Sequence, residues 1–207
     1  MSIDVSLEQL LRIGQWIQQQ GWCPATSGNL SCKTHLDKAD ENFWISVSGK
    51  YKGELTINDF IEVNVHGEPI QSNKTPSAET LLHSLIYQYF PTTSFLLHTH
   101  SVYATVLGRM TGAGMLRLTD YELQKAFTGV DTHEGELAIP VFANSQDMAA
   151  LAKEIEMHLK DCDVIHGFLL AGHGLYTWGE TAADARRHLE ALEFLFECEY
   201  KLRLLQR

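Results

Sequence analysis

The sequence predicts a three-layer α/β architecture. β-rich segments occupy the middle of the chain, helical patterns are interspersed among them, and further helical patterns close both ends. The first helix is expected to follow Ser6, with Gln9 three residues later as in a capping box and Leu10, Ile13 and Ile17 on one face. Gly21 ends it. Segments 43–47 (FWISV) and 60–65 (FIEVNV) read as strands, punctuated by Gly49, Gly53 and Gly67. A second helix is expected from Thr75 and Pro76, because the missing proline N–H is an unpaired group in a first turn anyway. Its buried stripe is Leu81, Leu82, Leu85, Ile86 and Tyr89, and Pro91 stops it.

Segment 94–97 reads as a buried strand, and 102–107 opens another helix. Residues 115–145 combine a short helix around Glu122 with a strand at 137–142. Ser145 is expected to open a helix whose stripe is Leu151, Ile155 and Leu159. FLLAGHGLYTW (168–178) reads as one strand. The last helix runs from Thr181 towards Leu205, with Thr181 and Asp184 as a capping pair. No low-complexity stretch, charge block or long-period repeat interrupts the pattern, so residues 1–207 are expected to form a single domain.

The 207 residues are 44% apolar and 20% charged, an ordinary globular composition with enough length to bury a sizeable core. Sixteen Lys and Arg against 26 Asp and Glu give a net charge of −10. Such a surface repels phosphate backbones and argues against a nucleic-acid partner, although a local pocket can still take a small phosphate ester. No segment approaches the roughly 18 apolar residues of a membrane span, and the N-terminus lacks a basic region followed by an apolar core. A cytoplasmic protein without membrane association is expected. The cysteines Cys23, Cys32, Cys162 and Cys198 form no CxxC pair and read as free, mostly buried thiols. Ten histidines are an excess for this length and the first hint of chemistry.

His98-Thr99-His100 directly follows the apolar run Phe95-Leu96-Leu97. In a strand, side chains at i and i+2 share a face, with Cα atoms about 6.5–7 Å apart. Two imidazoles so placed can converge on one metal ion, each nitrogen at about 2.0–2.1 Å. By spacing alone, the pair also fits two exposed or separately hydrogen-bonded rings. His173 follows a second such run, Phe168-Leu169-Leu170, between Gly172 and Gly174, which free the backbone to take unusual dihedrals. Two buried strands ending in histidine can deliver three ligands to one site, the arrangement of a catalytic metal with open positions.

Glu79 has an ordinary reading as a carboxylate favoured by the helix dipole. Spacing does not distinguish Glu122 from Glu134 or Glu136. Three small-residue turns, Thr26-Ser27-Gly28-Asn29, Ser48-Gly49-Lys50 and Pro76-Ser77, can offer N–H groups to an anion, and each also fits an ordinary turn. The nucleotide fingerprints GxxxxGK[ST] and GxGxxG are absent.

Taken in order, TSGNLS (26–31), SG (48–49), PSAET (76–80), HTH (98–100) and the later HG (173–174) resemble the motifs of the class II, metal-dependent sugar-phosphate aldolase family. The likeness spans about residues 5–205. It implies an α/β/α sandwich around a mainly antiparallel sheet and a homotetramer with sites near subunit interfaces. It implies a sugar-phosphate substrate and one Zn2+ per subunit on His98, His100 and His173, other divalent ions being possible. Phosphate contacts are expected at Gly28, Asn29, Ser48, Gly49 and Ser77.

The stretches SGKYKGEL (48–55), KTPSAETLLH (74–83), LLHTHSVYATVL (96–107), YELQKAF (121–127) and HGLYTWGET (173–181) are most similar to the dehydratase branch of that family. That likeness implies a hydro-lyase of methionine salvage. It would convert 5-methylthioribulose 1-phosphate into 2,3-diketo-5-methylthiopentyl 1-phosphate through a metal-stabilised enediolate. The residue matching Glu122 is the acid/base of these dehydratases, and the residue matching Glu79 is that of the aldolases. The chain carries glutamate at both positions, which leaves the two roles undivided. An aldolase or epimerase acting on fuculose, rhamnulose or ribulose phosphate would share the fold and ligands. A non-catalytic metal-binding domain would share the histidines alone.

Overall fold

The structure, a computed structural model, describes residues 3–34, 42–70, 73–160 and 165–206. Among these residues, one eight-stranded sheet contains β1 (Asn29–Lys33), β2 (Phe43–Ser46), β3 (Phe60–Val63), β4 (Phe95–Thr99), β5 (Gly114–Thr119), β6 (Glu136–Phe142), β7 (Gly167–Leu170) and β8 (Gly174–Gly179). The strand order is β3-β2-β1-β4-β8-β7-β6-β5. Neighbours are antiparallel except β6 and β7.

Five helices flank the sheet among the described residues: α1 (Ile3–Gln19), α2 (Thr80–Tyr89), α3 (Val102–Thr111), α4 (Met148–Leu159) and α5 (Ala182–Leu205). One face carries α1, α3 and α5, whose Leu10, Leu107 and Leu192 share a core with Leu97, Leu169 and Leu175. The other carries α2 and α4, whose Ile86 and Ile155 meet Leu96, Phe168 and Tyr176. This is the expected three-layer sandwich. Successive residues of β4 and β7 enter opposite cores, so the runs FLL are apolar throughout rather than alternating.

Several local expectations are corrected. Ser6 lies inside α1 and is buried, because the helix starts at Ile3 and Ser6 falls on its inner face beside Leu7 and Leu10. Gly21 does end α1: with φ 73°, it donates to the Gln18 carbonyl while Trp22 donates to that of Ile17. The second helix starts at Thr80 rather than at Thr75 and Pro76. Proline's fixed φ also suits extended backbone, and Pro76 forms a β-bridge with Val47. Glu79 is therefore the cap position of α2, not part of its first turn.

Asp147, not Ser145, caps α4, accepting from the Ala150 N–H. Segment 168–178 is not one strand: Gly172, at φ 68°, turns the chain between β7 and β8. Helix α5 is capped by Thr181 as expected, its hydroxyl oxygen accepting from the Asp184 N–H. The residues around Glu122 form a 3-10 helix, Glu122–Ala126.

Strands β1 and β5 escape the sequence reading. β1 is buried along its whole length yet reads NLSCK, since its polar side chains are used internally. Cys23 and Cys32 are free and buried, and Cys198 is free and half-buried. Cys162 and His35 lie outside the described residues. Among the described residues no helix is long and apolar enough to cross a membrane.

Candidate metal centre and active site

Strand register assembles the site. β1 pairs Asn29 with His98, and β4 pairs His98 with Tyr176 on β8. The His98 ring stacks on that of Tyr176, with centroids 3.9 Å apart. His100 lies just past β4, where its backbone N–H donates to the Trp22 carbonyl. His173 sits in the β7–β8 turn, where its carbonyl accepts from Thr105 Oγ1 at 2.9 Å. Two glycines permit this closeness. A Cβ on Gly174 would lie 2.0 Å from the Thr99 carbonyl oxygen, and one on Gly28 would lie 2.5 Å from that of His98.

The three Nε2 atoms converge. They are separated by 2.8 Å (His98 to His100), 3.1 Å (His100 to His173) and 3.3 Å (His98 to His173). His98 Nδ1 lies 2.9 Å from the Leu175 carbonyl oxygen, which can only accept, so Nδ1 carries the proton and Nε2 presents a lone pair. His173 Nδ1 faces Asn144 Oδ1 at 3.1 Å, which leaves its Nε2 a lone pair as well. Burial pushes the pKa of His98 down to about 4 and that of His100 to about 3, so both rings are neutral at neutral pH.

The Glu79 carboxylate closes the cluster, 3.0 Å from His173 Nε2 and 3.3 Å from His98 Nε2. Burial opposes its ionisation, while the hydrogen bond that Asn29 Nδ2 donates to Oε2 favours the carboxylate. Two lone pairs and a carboxylate aimed at one another repel unless a cation stands between them. Ligands at about 2.0–2.1 Å in tetrahedral geometry lie about 3.3 Å apart, close to the separations seen here. The donor set therefore fits a divalent cation.

The small-residue turns gather beside this cluster. Asn29 Nδ2 donates to Ser77 Oγ at 3.0 Å and to Glu79 Oε2 at 2.6 Å. The antiparallel Val47–Pro76 bridge ties the strand end before the exposed Ser48-Gly49 turn to the segment that carries Ser77. Gly28 and Gly49 adopt φ of 75° and 73°, which suits glycine. Lys52, unremarked in the sequence, is 1% exposed and ties two turns together, donating to the carbonyls of Thr26 (2.8 Å) and Lys50 (2.7 Å). His100 and His173 also line a cleft with Pro24, Val102, Thr105, Val106 and Asn144.

A profile of the class II aldolase and adducin N-terminal domain matches residues 8–200. The chain belongs to the class II aldolase and adducin family. This family is metal-dependent, and the chain carries a matching histidine cluster. The chain is 49% identical to methylthioribulose-1-phosphate dehydratase from Marinobacter nauticus over 201 residues, covering 97% of this chain and 95% of that protein. It is 47% identical to the protein of the same name from Enterobacter sp. over 207 residues, covering 100% of both. Among solved structures, L-fuculose-1-phosphate aldolase from Thermus thermophilus superposes with a TM-score of 0.75 at 25% identity, covering 98% of this chain and 97% of that one. Another L-fuculose 1-phosphate aldolase gives a TM-score of 0.80 at 22% identity over 100% of this chain and 90% of that one, a likeness of fold.

Within this class II aldolase chain, the expected site residues do not all meet. The structure brings together His98, His100, His173, Glu79, Gly28, Asn29 and Ser77, and the segment of Ser48 and Gly49 is linked to them through the Val47–Pro76 bridge. It does not bring Glu122 to them. That carboxylate is exposed and pairs with Lys125 and, at 3.4 Å, with His133; the Lys125 hydrogen bond lowers its pKa. Asn144 and His83 were missed. Asn144 has no motif around it. His83 does carry a signal, four residues after Glu79 and so one helical turn away.

Proposed function

We propose that this chain is a cytoplasmic methylthioribulose-1-phosphate dehydratase, a metal-dependent hydro-lyase of methionine salvage. The full-length likeness to dehydratases of that name carries this reading. The reaction removes the proton on C3 and the hydroxyl on C4 of 5-methylthioribulose 1-phosphate as water. The resulting enol ketonises to 2,3-diketo-5-methylthiopentyl 1-phosphate.

His98, His100 and His173 would hold the ion, for which three imidazoles favour Zn2+. When bound, it supplies Lewis-acid charge against the negative charge that develops on the substrate oxygens. Asn29, Ser77 and the turns at Gly28 and Ser48-Gly49 anchor the phosphate, and that binding energy orients the reacting carbons. Pro24, Val102 and Val106 give the methylthio end an apolar wall beside His100 and His173.

The proton on C3 goes to Glu122. Because this carboxylate is exposed and away from its own cluster, it acts at the cluster of a neighbouring subunit in a homotetramer. A second reading gives the proton to Glu79, because that carboxylate already touches the cluster and is ionised. Incubating the metal-loaded protein with 5-methylthioribulose 1-phosphate tests the function. The diketone should accumulate; release of dihydroxyacetone phosphate instead would make the chain an aldolase.

A further inference from the structure

A line of hydrogen bonds runs from Glu79 into the core, and its inner members have no part in the reaction above. A carboxylate only accepts, so the Asn29 group facing Glu79 is the NH2, which also reaches Ser77 Oγ. The Asn29 Oδ1 then points inward and meets His83 Nε2. That oxygen only accepts, so Nε2 carries the ring proton and Nδ1 is a lone pair. The lone pair receives the Ser31 hydroxyl at 2.6 Å, and Ser31 Oγ in turn accepts from the Tyr87 hydroxyl at 2.7 Å. Every member from Tyr87 to Asn29 donates in one direction, and all are buried.

Two periodicities build this line. Glu79, His83 and Tyr87 follow at i, i+4 and i+8 through the start and length of α2, and Asn29 and Ser31 follow at i and i+2 on β1. Burial holds the His83 pKa down to about 3, so the ring stays neutral and its tautomer is set by its neighbours.

We propose that His83 is a positioning residue: as the Nε2–H tautomer, it locks the Asn29 amide with its NH2 turned to both Glu79 and Ser77. It thereby fixes the carboxylate relative to the phosphate turn. Without that donor the amide is free to turn over and set its oxygen against the ionised Glu79. The inference rests on the assignment of Glu79 and Ser77 to the substrate site.

Three variants of the full, metal-loaded chain test it. His83→Leu removes the donor, His83→Gln keeps an N–H that reaches Asn29, and Ile86→Ala cuts a core side chain on the same helix. His83→Leu should lower kcat/KM for 5-methylthioribulose 1-phosphate by about ten- to a hundredfold with metal retained, the scale of one charge-assisted hydrogen bond. His83→Gln should recover most of that loss. Ile86→Ala should lower the melting temperature with kcat/KM kept within about twofold, since packing loss acts on stability. Wild-type kcat/KM in a folded, metal-loaded His83→Leu, or an equal kinetic loss in Ile86→Ala, overturns the proposal.

Nitrogen NMR of 15N-histidine protein reads the tautomer without any turnover. One ring, absent from the spectrum of His83→Gln, should be protonated at Nε2 and should not titrate across neutral pH. Protonation at Nδ1 overturns the proposal. If the chain does not dehydrate the substrate, the assigned reaction fails on its own, and the tautomer still decides the role of His83.

Discussion

Two groups of buried and half-buried histidines sit at opposite ends of β8. His98, His100 and His173 lie at its Gly174 end; His166 and His188 lie at its Gly179 end. Burial lowers the pKa of members of each group, to about 4 for His98 and for His166. Rings also touch in both, with His100 and His173 centroids 4.5 Å apart and those of His166 and His188 5.4 Å apart. What differs is where the lone pairs point. His188 Nδ1 donates to the Trp178 carbonyl, and its Nε2 faces the Thr128 N–H and hydroxyl, while Phe127 packs against both rings. At the other end, lone pairs face lone pairs and a carboxylate. A low pKa and touching rings do not separate a metal centre from a packed pair; converging unprotonated nitrogens do.

The largest effect should come from removing a ligand. His98→Ala, His100→Ala or His173→Ala should lower metal affinity by more than the 10–100-fold typical of outer-shell partners, and activity should collapse with it. His188→Ala should leave metal content at the wild-type level. Elemental analysis after dialysis reads both, and a metal-replete His173→Ala or a metal-free His188→Ala would break the contrast.

Next in size is the base. Glu122→Gln keeps shape but cannot take a proton, and loss of a general base costs about 10²–10⁴ in rate. Turnover and C3 proton exchange in heavy water should fall together while metal stays bound. Should Glu79→Gln abolish exchange and Glu122→Gln leave it intact, the base is Glu79.

A smaller loss is expected at Asn144, which faces His173 Nδ1. Asn144→Ala should weaken metal binding by about 10–100-fold in competition with a chelator. Unchanged affinity would mean that the turn alone aims the His173 ring.

The smallest effect is on stability against pH in the metal-free protein. His83, His98, His100 and His166 are held at about 3, 4, 3 and 4 in the folded state by burial. The unfolded chain binds their protons near pH 6.5, so stability should fall as pH drops from about 6.5 towards 4. Glu193 works in the opposite direction. Burial raises its pKa to about 7, so stability should fall as pH rises from about 4.5 to 7, where the unfolded carboxyl ionises first. The two windows overlap, and the four histidines outweigh the one carboxyl, so denaturant midpoints should rise with pH between about 4.5 and 7 and Glu193→Gln should steepen that rise. An unchanged slope in Glu193→Gln would mean that this carboxyl does not oppose the histidines.

Much of this was legible in the chain. The apolar runs before His98 and His173 mark strands covered on both faces, and their endings place histidines at one end of the central strands. Segment 168–178 misled because both halves of a hairpin are buried, and only the positive φ of Gly172 breaks the run. Pro76 misled because its fixed φ serves a first helical turn and a β-bridge equally.

Local order thus set the helices, the paired apolar runs and the residue types able to bind metal, because periodicity and donor chemistry act within a few residues. The tertiary structure decided which donors meet. Register alone puts Asn29 beside His98, and the Leu175 carbonyl, 77 residues from His98 along the chain, fixes which ring nitrogen is bare. The same holds for His83, whose tautomer depends on an asparagine and a serine from β1. A proton's position on an imidazole is set by its hydrogen-bond partners, and only the folded chain chooses those partners.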